Sequence, residues 1–263
     1  MAAPVFAGSG VALLTLFDDD GRLLPELTAD LAHSLFDEGI TAFLVAGTAG
    51  EFFLLEDDER IGLVGALRSS LPPTATILAH VGGVPGERAD AMAEAAVGAG
   101  ADAIVALPLG IDDQHGYYAG IIAAAAGTPV LAYHLPQAGA SIPLGLLLDL
   151  GVDAVKDSEG DIARLTDAFR NGVEVYTGAP NTLVAVHDLG APGTLVGLAN
   201  SHPNLTIAAF AGDRAAQDQL NALEAASLDD FPTGLKVMTA ARLAIPTSSR
   251  GKTTPGGGAR VTR

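Results

Sequence analysis

Val130-Leu131-Ala132-Tyr133-His134-Leu135-Pro136 opens a stretch that continues through an amphipathic run at 143–150 and Gly151 to Val152-Asp153-Ala154-Val155-Lys156. Two short apolar runs flank a helix-like segment, with Pro143 at its first turn and a glycine where it hands over to the next strand. This is the signature of a βαβ unit, whose two strands lie parallel. The same alternation recurs in both directions. Strands are expected at 11–16, 42–46, 75–81, 103–107, 130–133, 154–156, 173–177 and 194–198. Helices are expected between them at 25–38, 57–69, 87–99, 114–126, 143–150, 161–169 and 181–189. Gly39, Gly100, Gly127, Gly151, Gly172 and Gly190 fall at helix ends, and Pro25 and Asp161 at helix starts. Eight strands alternating with helices predict a parallel α/β sheet, and the count of eight favours closure into a (β/α)8 barrel over an open doubly wound sheet. The barrel is expected over residues 1–204. Further helices over 205–246, at 205–228 and 233–244, should pack on it. A Ser-, Thr-, Gly- and Arg-containing tail over 247–263 should be flexible.

The chain has 263 residues, the size of one large α/β domain, and 49% of them are hydrophobic, enough for a sizeable core. A formal net charge of -17 argues against nucleic acid and against an anionic membrane surface as partners. It also means that an anionic substrate must be held by local donors. The absence of cysteine excludes disulfides, a thiol nucleophile and thiolate-bound metal. Residues 1–16 carry neither a basic leader nor a long apolar run, and no apolar stretch reaches membrane-spanning length. The expected setting is therefore the cytoplasm.

In a barrel of this kind the chemistry belongs at the carboxyl ends of the strands. The polar residues there are Thr15, Thr48 with Glu51, His80, Tyr133 with His134, Lys156, Thr177 and Asn200. Lys156 stands out because the chain has only three lysines and this one ends an apolar strand. Burial penalises an ammonium and favours the neutral amine, which attacks carbonyls. The plain alternative is a lysine emerging into water. Gly47-Thr48-Ala49-Gly50-Glu51 can aim several backbone N–H groups at one point as a small anion nest. The same loop also reads as an ordinary turn, with glycine chosen for its backbone angles and Glu51 favouring the start of the next helix. Tyr133 can shuttle a proton if its hydroxyl faces the pocket. His134, its neighbour, should face away.

Gly47-Thr48-Ala49-Gly50-Glu51, Tyr133-His134-Leu135-Pro136 and Val155-Lys156-Asp157-Ser158, in that order, resemble the signatures of the dihydrodipicolinate synthase / N-acetylneuraminate lyase family. Leu14-Thr15-Leu16-Phe17 with Asp20-Gly21 resembles its first strand and loop, and Gly190-Ala191-Pro192-Gly193 through Gly197-Leu198-Ala199-Asn200 its eighth. The likeness spans residues 8–245. It implies a (β/α)8 TIM barrel with additional C-terminal helices, assembled as a homo-oligomer, a dimer or a tetramer built from dimers. It also implies a class I pyruvate aldolase or lyase that needs no metal or other cofactor. By this resemblance Lys156 forms a Schiff base with the keto carbon of pyruvate or another 2-oxo acid, and Tyr133 moves the proton of the hydroxyl being made or broken. Thr48, Gly47, Ala49 and Gly50 hold the carboxylate. Thr15, Gly178 and Leu198 complete the substrate site, and an aldehyde is the second partner.

The chain departs from the pattern in three places. Ala49 replaces a second hydroxyl residue in the loop. Pro108-Leu109-Gly110 stands where a tyrosine would serve a neighbouring subunit's proton relay, and Tyr117 and Tyr118 lie too far along to replace it. Gln137-Ala138-Gly139 stands where the synthase has an arginine for its second substrate. No arginine falls at an expected strand end. These losses favour a pyruvate-releasing or pyruvate-using lyase with an uncharged aldehyde partner, such as a 2-keto-3-deoxy sugar acid aldolase, over the synthase condensation. Two other readings stand beside it. One is a metal-dependent barrel lyase using His80, His134 and Glu51 or Asp157. The other is a protein that binds a 2-oxo acid without turning it over.

Overall fold

The computed structural model describes residues 3–228 and 230–250. Eight strands form a closed parallel barrel in the order β1 to β8, each followed by a helix, as expected. The strands are β1 (Gly8–Ala12), β2 (Ala42–Val45), β3 (Thr76–His80), β4 (Ala103–Ala106), β5 (Val130–His134), β6 (Ala154–Asp157), β7 (Glu174–Thr177) and β8 (Gly193–Val196). Around them run α1 (Pro25–Asp37), α2 (Asp57–Ser70), α3 (Gly86–Gly98), α4 (Gln114–Ala124), α5 (Leu144–Asp149), α6 (Ile162–Arg170), α7 (Leu183–Leu189) and α8 (Pro203–Phe210). Then follow α9 (Arg214–Leu228) and α10 (Thr233–Ala240).

The strands are apolar throughout because helices cover one face and the barrel interior the other. β2 and β4 have no residue that is even half-buried; every position is buried. The helices start where their caps place them. Pro25 opens α1, the Glu56–Glu59 capping box opens α2, and the Asp161 carboxylate accepts the Ala163 and Arg164 N–H groups at the start of α6. All six handover glycines have positive φ, from 72° at Gly151 to 98° at Gly39 and Gly100. Closure is made by β1 and β8, which pair from Gly8↔Gly193 to Val11↔Val196. Asn200 stitches the seam: its Nδ2 donates to the Ala12 carbonyl at 2.8 Å and its Oδ1 accepts the Leu14 N–H at 3.1 Å.

Three expectations are corrected. The first strand is Gly8–Ala12 rather than 11–16. Leu13, Leu14 and Leu16 stay buried, but their N–H groups leave the β1 ladder for the Leu44 carbonyl, Asn200 and Thr28. An apolar run that turns off a sheet without reaching solvent cannot be told from strand by hydrophobicity. The single helix expected at 205–228 is two, α8 and α9, with α8 running across residue 204. Gly212 at φ 95° ends the first, and the Asp213 carboxylate accepts the Ala215 and Ala216 N–H groups to start the second. Residues 247–250, the start of the expected flexible tail, are bound to the loops after β1 and β2: Ser248 donates to Asp19, and Arg250 to Glu59 and to the Gly21 and Leu54 carbonyls. The rest of the expected tail, 251–263, lies outside the described residues. Among the described residues no helix is long and apolar enough to cross a membrane.

Candidate active site

Tyr133 and Lys156 are register partners on β5 and β6. Adjacent in-register positions on parallel strands share a face, so the two side chains meet at the carboxyl end of the barrel. Lys156 is 2% exposed, which removes the reading of a lysine emerging into water. Its Nζ lies 3.7 Å from the centroid of the Tyr133 ring and donates to Ser158 Oγ at 2.9 Å. Its described partners are thus an aromatic face and a hydroxyl, with no carboxylate to hold it as half of an ion pair. The end of β7 must be glycine to leave room. A Cβ at Gly178 would stand 2.0 Å from Ser158 Oγ and 2.9 Å from Lys156 Nζ.

The Tyr133 hydroxyl hydrogen-bonds Thr48 Oγ1 across the barrel mouth at 3.2 Å. Burial alone pushes a phenol up. That is the largest single influence here, but the Lys156 charge and hydrogen bonds from Lys156, Thr48 and Ser158 together outweigh it, and Tyr133 is held below the ordinary tyrosine value. The other tyrosines go the opposite way, each raised first by burial. Tyr117 and Tyr118 in α4 give their hydroxyls to the Leu107 and Ala106 carbonyls, at 3.4 and 2.7 Å. They do not replace the missing tyrosine at Leu109.

The Gly47–Gly50 loop follows β2. The left-handed residues are its flanks, Ala46 at φ 51° and Glu51 at φ 57°, and not its glycines. The glycine at 50 serves close approach instead: a Cβ there would be 3.0 Å from Thr15 Oγ1 and 3.1 Å from the Leu13 carbonyl. Thr15 is thereby placed beside the loop. Ala49 and Gly50 are buried and Thr48 half-buried. Among the described residues, the N–H groups of Thr48, Ala49 and Gly50 donate to no acceptor of the chain. Successive backbone N–H groups without a partner in a turn can together accept an anion. Leu198 is buried in the turn Gly197–Asn200, after β8 rather than within it.

The remaining strand-end residues are engaged elsewhere. Thr177 hydrogen-bonds Thr182 at 2.7 Å and accepts the Ala179 N–H. His134 accepts the Ile142 N–H on Nδ1, so its Nε2 carries the proton that goes to Glu159 at 3.0 Å. Asp157 takes Arg164 at 2.8 Å. His80 Nδ1 faces Arg60 at 3.0 Å, and His80 is held well below the usual imidazole value by burial, then by the Arg60 and Lys156 charges. Glu51 does not serve the next helix, which Glu56 and Glu59 cap; it pairs with Lys236 of α10 at 2.7 Å. The four candidate metal ligands therefore have separate partners. No three His, Asp or Glu side chains are grouped to hold an ion among the described residues.

Sequence reasoning missed four residues. Ser158 was legible, because two positions along a strand from Lys156 is the same face. Arg60, Lys236 and Arg250 carried no local signal. No arginine falls at a strand end in sequence, but Arg60 reaches one in space. From α2 it donates to the His80 and Gly82 carbonyls at 2.6 and 3.1 Å, and burial pulls it down to about 10.

Residues 5–239 match the model of the dihydrodipicolinate synthetase family. The chain is similar to a 4-hydroxy-tetrahydrodipicolinate synthase of Corynebacterium aurimucosum, at 30% identity over 82% of this chain and 76% of that one. It is similar to an N-acetylneuraminate lyase of Citrobacter koseri, at 30% identity over 60% of this chain and 57% of that one. Among solved structures, the chloride-inhibited dihydrodipicolinate synthase from Acinetobacter baumannii, complexed with pyruvate, superposes with a TM-score of 0.84. It is 25% identical and covers 95% of this chain and 93% of that one. With the match running from β1 to α10, the chain belongs to the dihydrodipicolinate synthetase family, whose members are class I, Schiff-base-forming pyruvate lyases.

Proposed function

We propose that Lys156, Tyr133 and the Gly47–Gly50 loop make this chain an aldolase that cleaves or forms the C–C bond of a 4-hydroxy-2-oxo acid, with pyruvate as product or donor. The observation that carries the reading is a buried lysine with no carboxylate partner among the described residues, lying 3.7 Å over a tyrosine whose hydroxyl meets, through Thr48, a loop whose amides have no acceptor among those residues. In cleavage, the Lys156 amine adds to the C2 carbonyl and water leaves, giving a protonated imine. The C3–C4 bond breaks, its electron pair passing to the iminium to form an enamine, while Tyr133 takes the proton of the C4 hydroxyl and the aldehyde departs. Protonation of the enamine at C3 and hydrolysis of the imine release pyruvate and the lysine. Condensation is the reverse. Thr48, Thr15 and the amides of residues 48–50 hold the carboxylate, and Ser158 and Gly178 keep the Lys156 nitrogen placed. Leu198 adds an apolar wall.

The aldehyde partner is read as uncharged. Leu109, Gln137 and Ala138 offer it no cation, and Arg60 and Arg164 are committed to the His80 and Gly82 carbonyls and to Asp157. Assembly as a homo-oligomer is part of the same reading, as is common in the family. The test is turnover of a panel of 4-hydroxy-2-oxo acids, read as pyruvate release. Activity on neutral sugar-derived members and none on acids with a second carboxylate or a phosphate is expected; the opposite preference would refute the assignment of the partner.

A further inference from the structure

We propose that Lys236 is a positioning residue for the carboxylate site: by neutralising Glu51 it allows the amides of residues 48–50 to accept an anion. It also draws the chain's residues 248–250 into the apparatus that binds substrate. The inference rests on the reading of the Gly47–Gly50 loop given above. Glu51 directly follows that loop, at 0% exposure, and its left-handed backbone closes it. Its Oε1 meets Lys236 Nζ at 2.7 Å and its Oε2 accepts the Arg250 N–H at 3.0 Å. Lys236, itself 0% exposed, gives a second hydrogen bond to the Ser248 carbonyl at 2.7 Å. The Phe17 ring lies close to both cations, 4.8 Å from Lys236 Nζ and 4.7 Å from the Arg250 guanidinium.

A bare carboxylate one residue from an anion nest would oppose substrate strongly, because charges interact through a low effective dielectric where water is excluded. A chain with net charge -17 supplies no distant compensation. Lys236, 185 residues away in sequence, is the counter-charge. Its partner Ser248, together with Arg250 on the other oxygen of Glu51, fixes the segment that reaches over the β1 and β2 loops.

The experiment measures borohydride trapping on the full chain against the concentration of pyruvate and, separately, of methyl pyruvate, which has the ketone without the charge. In Lys236→Met, half-saturating pyruvate should rise about tenfold or more while the methyl pyruvate value moves less than about threefold. Lys236→Met with Glu51→Gln removes both charges and should return pyruvate to within about threefold of the unaltered chain. Glu51→Gln alone leaves a cation beside the nest, so its half-saturation should stay or fall; it serves if Lys236→Met does not fold. An equal rise for both ketones, a rise that persists in the double variant, or a tenfold rise in Glu51→Gln would each overturn the proposal. Absence of any Lys156 adduct in the unaltered chain would sink the imine reading instead; a normal adduct with an unchanged Lys236→Met would sink only the role of Lys236.

Discussion

Two of the three lysines are buried near the barrel mouth against an aromatic ring, and they differ in one respect. Lys236 has a carboxylate at 2.7 Å; Lys156 has a serine hydroxyl at 2.9 Å and no carboxylate among its described partners. Burial lowers Lys236, and Glu51 offsets part of that. An ion pair of this kind is consumed by its own fold: neither charge is available to a ligand, and removing one strands the other. Lys156 is supported by groups that place a nitrogen without engaging it in an ion pair. A buried lysine is thus read by its counter-charge and not by its burial.

The comparison breaks first, and most severely, at the lysines themselves. Lys156→Met should lose about four orders of magnitude or more in turnover, measured as pyruvate release, because no other group can make the imine. Retained activity would end the contrast. Lys236→Met should instead cost about 3–5 kcal/mol of stability in a urea titration, the usual penalty for stranding a buried charge, and still form its adduct on Lys156. Tyr133→Phe sharpens the comparison from the ring side. It should cut turnover by about 10²–10⁴-fold while leaving imine trapping largely intact, since it removes a proton carrier and not the nucleophile.

Smaller effects probe the charge directly. Tyr133 is held low and the other three tyrosines are pushed up, so an ultraviolet titration should show one tyrosinate forming ahead of the rest. In Lys156→Met the same tyrosine should ionise at higher pH, because the charge that favoured its phenolate is gone. An unmoved first titration would mean that Lys156 does not govern Tyr133. Ser158→Ala, the mildest change, should slow trapping by about threefold to tenfold, the scale of one hydrogen bond.

Most of the barrel was legible because apolar runs, caps and handover glycines agree with one another at every βα unit. Leu13–Leu16 and the α8–α9 break were not, since burial persists where the sheet ends and a two-residue Gly212-Asp213 punctuation is easily passed over. In the site, Lys156, Tyr133 and the Gly47–Gly50 loop were legible as strand-end motifs and come together in space. What stayed hidden was tertiary. Arg60 reaches a strand end from a helix, and Lys236 and Arg250 meet Glu51 from the far end of the chain. No local pattern encodes a pairing across 185 residues.

The most direct measurement is incubation of the full chain with pyruvate and borohydride, followed by peptide mass mapping. A single adduct on the peptide containing Lys156, with Lys236 unmodified, is the predicted result. An adduct on Lys236, or no adduct at all, would contradict it.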